Sequence, residues 1–386
     1  MTHAVPHIVL GDPVVVAQGP VEVQDWGPYQ FPVMERLADG RIHLQHHLER
    51  DSAKDYGLPV AHHLSGDNGC TWQPVAAGAV PDGLRLPNGD DLKTVVLRPR
   101  PAGELRLPEY AVMAVGAYGG QKFYHFRLRD LPEELQDGYH FARRAAGTDA
   151  WREEAATVHL PGELRRIQEG VLVFPWFWRF QLAPDGSLWG LEYTRREHCG
   201  TIYNWHPVFL SSVDNGHVWD MQGEILPEPD AAVDPLWAVR DGFSEPGITF
   251  MPDGSVFCLI RTTDGNGIGP LYWSRSTDNG KTWIHPRFFD RLGVWPQLVT
   301  LADGVTLAAY GRPGVYVRAT GDPSGLAWVD PVTVLAPGEI GKDSCSYTAL
   351  LALDAHSALL AYSYFKYPDG NGNPRKTILV RTVRVA

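Results

Sequence analysis

The stretch Ser276-Thr-Asp-Asn-Gly-Lys-Thr-Trp283 decides the fold. Related copies stand at Ser65-Gly-Asp-Asn-Gly-Cys-Thr-Trp72 and Ser212-Val-Asp-Asn-Gly-His-Val-Trp219, so all three follow Ser-x-Asp-Asn-Gly-x-(Thr/Val)-Trp. An Asp ahead of Asn-Gly suits a tight turn. Its carboxylate accepts from nearby backbone N–H groups, and Asn-Gly takes up positive φ at little cost. The Trp that follows covers the turn with a large apolar face. Each copy comes after an apolar run (Leu58 to Leu64, Pro207 to Leu210, Leu271 to Trp273), so each reads as a β-hairpin with a capped turn. Three such matches in one chain are the mark of a repeat architecture.

The pattern resembles the Asp box of the sialidase superfamily, whose members fold as β-propellers. The resemblance implies that the boxes lie on the face opposite the active site and speak to architecture rather than chemistry. A second series of turns agrees with it. Asp-Gly turns recur at Ala38-Asp-Gly40, Pro184-Asp-Gly186, Pro252-Asp-Gly254 and Ala302-Asp-Gly304, with Pro101-Ala-Gly103 and Asp354-Ala-His356 as degenerate copies. Each is read as the hairpin between the first two strands of a blade, and the Asp box as the hairpin between the last two. The expected fold is all-β, a six-bladed β-propeller with blades near 27–80, 90–150, 170–225, 243–290, 293–335 and 344–386. The apolar segment His7 to Val16 supplies an outer strand that closes the ring. The segment Asp130 to Gly170, rich in Glu, Arg and Ala, is expected to be an insertion with short helices, and residues 1–386 to form one propeller domain.

The bulk numbers fit this expectation. The chain has 386 residues with 40 Gly and 31 Pro, which favours many turns over long helices. A net charge of −11 argues against a nucleic-acid partner or an anionic membrane surface. Four widely separated cysteines (Cys70, Cys199, Cys258, Cys345) make no Cys-x-x-Cys pair, so neither a metal site nor a cofactor is expected. No run approaches 18 apolar residues, which predicts a soluble chain, cytoplasmic or secreted after loss of a leader.

If both hairpin turns lie on one face, the starts of first strands and the ends of second strands meet on the other. That face collects Gln30, His46, His47, Asp51, Asp55, Tyr118, Arg179, Tyr193, Arg195, His198, Tyr203, Glu245, Arg261, Trp295, Gln297, Arg312, Tyr347 and Tyr364. Aromatic rings for sugar faces, carboxylates for acid–base work and arginines for an acidic substituent are what a carbohydrate cleft needs. Here the resemblance assigns roles. Ser244-Glu-Pro246 and Leu259-Ile-Arg261 are similar to the sialidase segments that carry the catalytic Glu and a substrate-binding Arg. Ser346-Tyr-Thr348 resembles the segment with the nucleophilic Tyr, and Arg312 stands where the family carries another Arg of its carboxylate-binding triad. Asp55, 25 residues after Gln30, falls in the loop of the acid/base Asp, with Asp51 as its neighbour. Tyr29-Gln-Phe-Pro32 replaces the family's Arg-Ile-Pro motif, and Gln30 cannot supply the charge of that Arg.

The function implied is a retaining exo-glycosidase acting on an acidic oligo- or polysaccharide. Tyr347 is the nucleophile, Glu245 takes its proton and Asp55 is the acid/base, with Arg261 and Arg312 on the acidic group. The histidines offer an alternative, a lyase acting by β-elimination at a uronic acid. His47 or Tyr203 is then the base, and Gln30 with an arginine neutralises the carboxylate, with His46, Arg195 and His198 on the same face. A third reading is a glycan-binding propeller without catalysis.

Overall fold

The computed structural model describes residues 5–80, 83–116, 120–228, 230–263 and 269–386; Tyr118 lies outside the described residues. Six antiparallel sheets form the blades of a propeller. Blade I is built from Val33–Arg36, Ile42–His47, Val60–Ser65 and Gln73–Val75. Blade II uses Leu84–Arg85, Asp91–Val95, His140–Arg144 and Trp151–Ala155. Blade III uses Arg179–Leu182, Leu188–Thr194, His206–Ser212 and Val218–Glu224, with Thr157–His159 added in parallel at its edge. Blade IV runs from Gly242–Phe250 to Arg287–Asp290 and blade V from Gln297–Thr300 to Val332–Leu335. Blade VI combines Thr348–Ala352, Ser357–Pro368 and Pro374–Val385 with the N-terminal strands Ile8–Leu10 and Val14–Gln18, both antiparallel to the last strand. The N-terminus thus closes the ring as the sequence predicts, and the last blade keeps no open edge on that side.

The Asp boxes act as rivets between blades. In blade IV the Asp278 carboxylate accepts from Thr282 N (2.9 Å), and Trp283 Nε1 donates to Gly280 O (3.0 Å). Hydrogen bonds from the Thr282 hydroxyl, Thr282 N and the Ser276 hydroxyl hold the Asp278 carboxyl down at about 2. The Trp283 ring stacks on Phe209 of blade III at 4.5 Å. Trp219 of blade III stacks on Phe141 of blade II at 5.6 Å in the same way. Gly280 sits at φ +80, and a Cβ there would fall 2.2 Å from the Trp189 ring, so both backbone and space require glycine. A fourth box, Thr320-Gly-Asp-Pro-Ser-Gly-Leu-Ala-Trp328, closes blade V. Trp328 Nε1 donates to Gly325 O (2.8 Å) and Leu326 N to Asp322 (3.0 Å). It is one residue longer between Asp and Gly, which hides it from the sequence pattern. Trp219 is fully buried. Trp219→Ala is therefore expected to cost about 3–5 kcal/mol in denaturant unfolding, and a loss below about 1 kcal/mol would refute the rivet.

Two expectations need correction. Pro101-Ala-Gly103 is not the first hairpin of blade II. That turn is Pro87-Asn-Gly-Asp90, where Leu86 N donates to Asp90 O (2.8 Å) and Gly89 N to Leu86 O (2.9 Å). The same pair of bonds frames the turn at Asp253-Gly254, and Asn-Gly serves as well as Asp-Gly there. The segment Asp130 to Gly170 is also mostly strand. Leu128–Asp130 and Glu133–Leu135 are single 3₁₀ turns, and His140–Arg144 and Trp151–Ala155 belong to blade II. The inserted element is a five-stranded sheet of Arg100–Pro101, Val112–Val115, Lys122–Arg127, Leu164–Gln168 and Val171–Val173. It is spliced in at two places, after the second strand of blade II and before the first strand of blade III. Both splices open on the face away from the Asp boxes, so the sheet stands beside that face as a wall. Its own core includes Phe126, Leu131, Leu135, Ile167, Leu172 and Phe174.

Candidate active site

On the face away from the Asp boxes, strand starts and strand ends converge on a cleft of about 710 Å³. Its floor is set by an irregular backbone. Tyr29, Phe31, Glu245, Trp295, Arg312 and Ser346 all have φ between +45 and +73, which non-glycine residues rarely adopt. Each costs on the order of 1–3 kcal/mol, and such conformations persist where the surrounding fold over-determines them. In blade IV the register slips between Ser244 and Gly247, and Glu245 lies in that slip.

Glu245 is the hub. Its Oε1 accepts from Arg261 Nη1 (2.6 Å) and from the Tyr347 hydroxyl, and its Oε2 from Trp295 N (2.9 Å). Arg261 Nη1 also reaches the Tyr347 oxygen at 3.1 Å. Arg261 comes from the second strand of the same blade, opposite Ser244, while Tyr347 arrives from the start of blade VI. The phenol ring is held between Trp295, stacked at 5.0 Å, and the edge of Phe31 at 4.8 Å. Glu245 is therefore placed to take the hydroxyl proton, and the cation beside both groups stabilises the charge that results.

Two carboxylates face this hub from the loop after the second strand of blade I. Asp55 lines the cleft from the 3₁₀ turn Ala53–Asp55, and its carboxylate makes no hydrogen bond or ion pair among the described residues. Asp51 accepts from Trp26 Nε1 (3.0 Å). Asp51 is exposed to the solvent of the cleft, and the cleft walls partly desolvate its carboxyl. That desolvation raises its proton affinity above the ordinary carboxylate value, and the charges of Glu169 and Glu245 raise it further against the opposing pull of Trp26 and Arg312. Asp51 thus stands in the electrostatic field of the hub.

Arg312 is buried, donates to Cys345 O (2.7 Å), and lies over the Trp26 and Tyr347 rings at 5.6 and 5.5 Å. It has no carboxylate within ion-pair distance among the described residues, and its Nε is unpartnered. His47 also lines the cleft, against Phe31 at 4.8 Å, and burial lowers it to about 4, so it is neutral at physiological pH.

Eight of the residues expected on this face do not line the cleft: Arg179, Gln297 and Tyr364, and the five that follow. Gln30 is fully buried beneath it, where its amide oxygen is oriented to accept from Lys376 Nζ (3.1 Å) and Gly27 N (3.0 Å). The positive φ at Tyr29 and Phe31 turns Phe31 into the cleft and Gln30 away. His46 alternates to the opposite side of its strand from His47 and is packed between Tyr29 and His63. Arg195 is held by Asn204 Oδ1 (2.8 Å). His198 joins Arg196 and His206 around Glu224, and Tyr203 packs against both histidines. This blade III cluster is a self-satisfied ion-pair network outside the cleft lining. Conversely, Trp26, Phe31, Trp178 and Glu169 line the cleft without having been singled out. The aromatic run Trp176-Phe-Trp178 was the available signal; Glu169 had none. Among the described residues no group of His, Cys, Asp and Glu is arranged to hold a metal, and no helix is long and apolar enough to cross a membrane.

No family model matches the chain, and no curated protein matches it. Solved structures do resemble it. A protein of unknown function from Dyadobacter fermentans superposes with a TM-score of 0.65 at 17% identity, over 98% of this chain and 99% of that one. The α-L-arabinofuranosidase of Fusarium graminearum gives 0.52 at 15% identity, over 97% and 98%. A sialidase of Streptococcus pneumoniae gives 0.51 at 13% identity, over 96% of this chain and 70% of that one. At these identities the likeness is one of fold: the chain shares its propeller with sialidases and arabinofuranosidases.

Proposed function

We propose that the protein is a retaining, exo-acting glycoside hydrolase. The observation that carries this reading is the Tyr347 hydroxyl donating to a Glu245 carboxylate that Arg261 and Trp295 N hold in place on the cleft floor. In the first half-reaction Tyr347 oxygen bonds to the anomeric carbon as its proton passes to Glu245. The glycosidic C–O bond breaks, and the departing oxygen takes a proton from Asp51. In the second half, Asp51 takes a proton from water, the water oxygen bonds to the anomeric carbon, and Tyr347 leaves and recovers its proton from Glu245. A tyrosine nucleophile has precedent among retaining glycosidases, and a neutral hydroxyl repels an acidic sugar less than a carboxylate nucleophile does. Of the proposed carboxylate-binding groups, Arg312 alone faces the cleft without an acidic partner. It would hold a single acidic or hydroxyl-rich substituent, in place of the multi-point grip that a third arginine would give.

The test is a panel of aryl pentosides, hexosides, uronides and sialosides followed by ¹H NMR from the first turnover. The expected product is free sugar released with the anomeric configuration of the substrate. First-formed sugar of inverted configuration would sink the Tyr347 mechanism. The second reading, β-elimination at a uronate, is favoured by one observation, a neutral His47 in the cleft. It predicts absorbance near 235 nm on polyuronates without reducing monosaccharide.

A further inference from the structure

We infer that the inserted sheet is a clamp on the acid loop, with Glu169 and Arg98 as positioning residues for Asp51; the inference rests on the reading of Asp51 as the acid. The loop that carries Asp51 contains one 3₁₀ turn, Ala53–Asp55. A single turn cannot satisfy its own end groups, so its first N–H and last C=O groups need outside partners. The insertion supplies both. Glu169 Oε2 accepts from Ala53 N (3.0 Å) and from the hydroxyl of Ser52, the residue that caps the turn through Lys54 N (3.3 Å). At the other end Arg98 Nη1 donates to Tyr56 O (2.7 Å) and Nη2 to Lys54 O (3.2 Å). Glu169 is itself fixed by Gln121 Nε2 (3.1 Å) and sits at φ +52, which aims its side chain out of the sheet. Between the two polar grips, Ala53 and Tyr56 pack on Val171, Val173 and Trp176.

None of these contacts pairs blade strands, and the blade sheets hydrogen-bond without strands of the inserted sheet. They join the insertion to one loop only a few residues long, immediately after Asp51. Glu169 also lines the cleft and places a negative charge toward Asp51. The other groups facing Asp51 are Glu245 from blade IV, Arg312 from blade V and the Trp26 indole, with Arg50 of its own loop paired to Asp25. The insertion therefore fixes where the loop carrying the Asp51 carboxyl stands and adds to the field that raises its proton affinity.

Two variants separate these effects. Glu169→Ala removes the grip and the charge. Glu169→Gln keeps an oxygen for Ala53 N and Ser52 but removes the charge. Amide hydrogen exchange of the full chain reads the clamp, and ¹³C-carboxyl NMR of Asp-labelled protein, assigned with Asp51→Asn, reads the titration of Asp51. Glu169→Ala and Arg98→Met are expected to speed exchange at residues 52–58 by about tenfold or more while the blades exchange as in the wild type. Glu169→Gln is expected to leave that exchange near wild type and move the Asp51 midpoint to lower pH. Unchanged loop exchange in both Glu169→Ala and Arg98→Met would overturn the clamp, and an unmoved midpoint in Glu169→Gln would overturn the link to Asp51. Neither readout uses a substrate, so failure of the glycosidase reading would appear separately, in the product assay.

Discussion

Tyr347→Phe is expected to lower kcat by at least about 10³-fold while leaving the fold intact, because it removes the one atom that bonds to the sugar and nothing else. The phenyl ring keeps its stacking on Trp295 and its contact with Phe31. Glu245 loses one donor but retains Arg261 Nη1 and Trp295 N, so no buried charge is orphaned. The stability loss is then that of one hydrogen bond to a charged group, about 1.5–3 kcal/mol, a shift of only a few degrees in Tm for a chain of this size. Activity and thermal unfolding measured on the same preparation separate the two effects. A variant with a wild-type rate would remove Tyr347 from the chemistry, and one that is inactive because it has unfolded would place the residue in the scaffold. The expected combination is specific to a nucleophile held by its neighbours rather than holding them.

The architecture was legible because its determinants are local. A Ser-x-Asp-Asn-Gly turn needs only its own eight residues to form, and the tryptophan that ends it needs only a neighbouring blade. The copies that escaped notice are those where local chemistry was met by other residues. Asn88-Gly89 replaces Asp-Gly, and the blade V box tolerates one more residue because Asp322 still reaches Leu326 N and Ala327 N. The inserted sheet was illegible for a different reason. Its strands come from two separated segments, and Leu164–Gln168 pairs with Lys122–Arg127 across nearly forty residues. Local composition around Glu133 and Arg152 suits helix, and only the tertiary pairing makes strand of part of it. Strand position puts Glu245, Arg261 and Tyr347 on one face with many other polar residues, and it is the family resemblance that singles them out there. The errors at Gln30 and His46 lie one residue from true cleft residues, Phe31 and His47. A period-two element gives the height of a residue along the blade, and the side it faces turns on a backbone conformation, here the positive φ of Tyr29 and Phe31, that composition does not reveal.

The same limit decides which aspartate is the acid, and the second large effect follows from it. Asp51→Asn is expected to lower kcat/KM by about 10²–10⁴-fold on glycosides with poor leaving groups, whereas Asp55→Asn should stay within a few-fold of the wild type. Aryl glycosides whose leaving group needs no proton should lose far less in the first half-reaction. The pH dependence carries the sign. Partial desolvation in the cleft and the charges of Glu169 and Glu245 raise the Asp51 carboxyl above its ordinary 3.8, so the acid form survives to higher pH than a free aspartate would allow. The basic limb of kcat/KM should accordingly lie above the usual carboxylate range. Stability moves the other way. A carboxyl that binds its proton more tightly when folded contributes stability that is present below the unfolded value and declines as pH rises through the folded one. Asp51→Asn removes that decline and can keep an oxygen toward Trp26 Nε1. Its Tm relative to the wild type should therefore increase from pH 4 toward neutrality, just as its activity is lost. A reversed pattern, with Asp55→Asn inactive and Asp51→Asn near wild type in both rate and Tm, would return the acid's role to Asp55 and leave the raised proton affinity of Asp51 without a function.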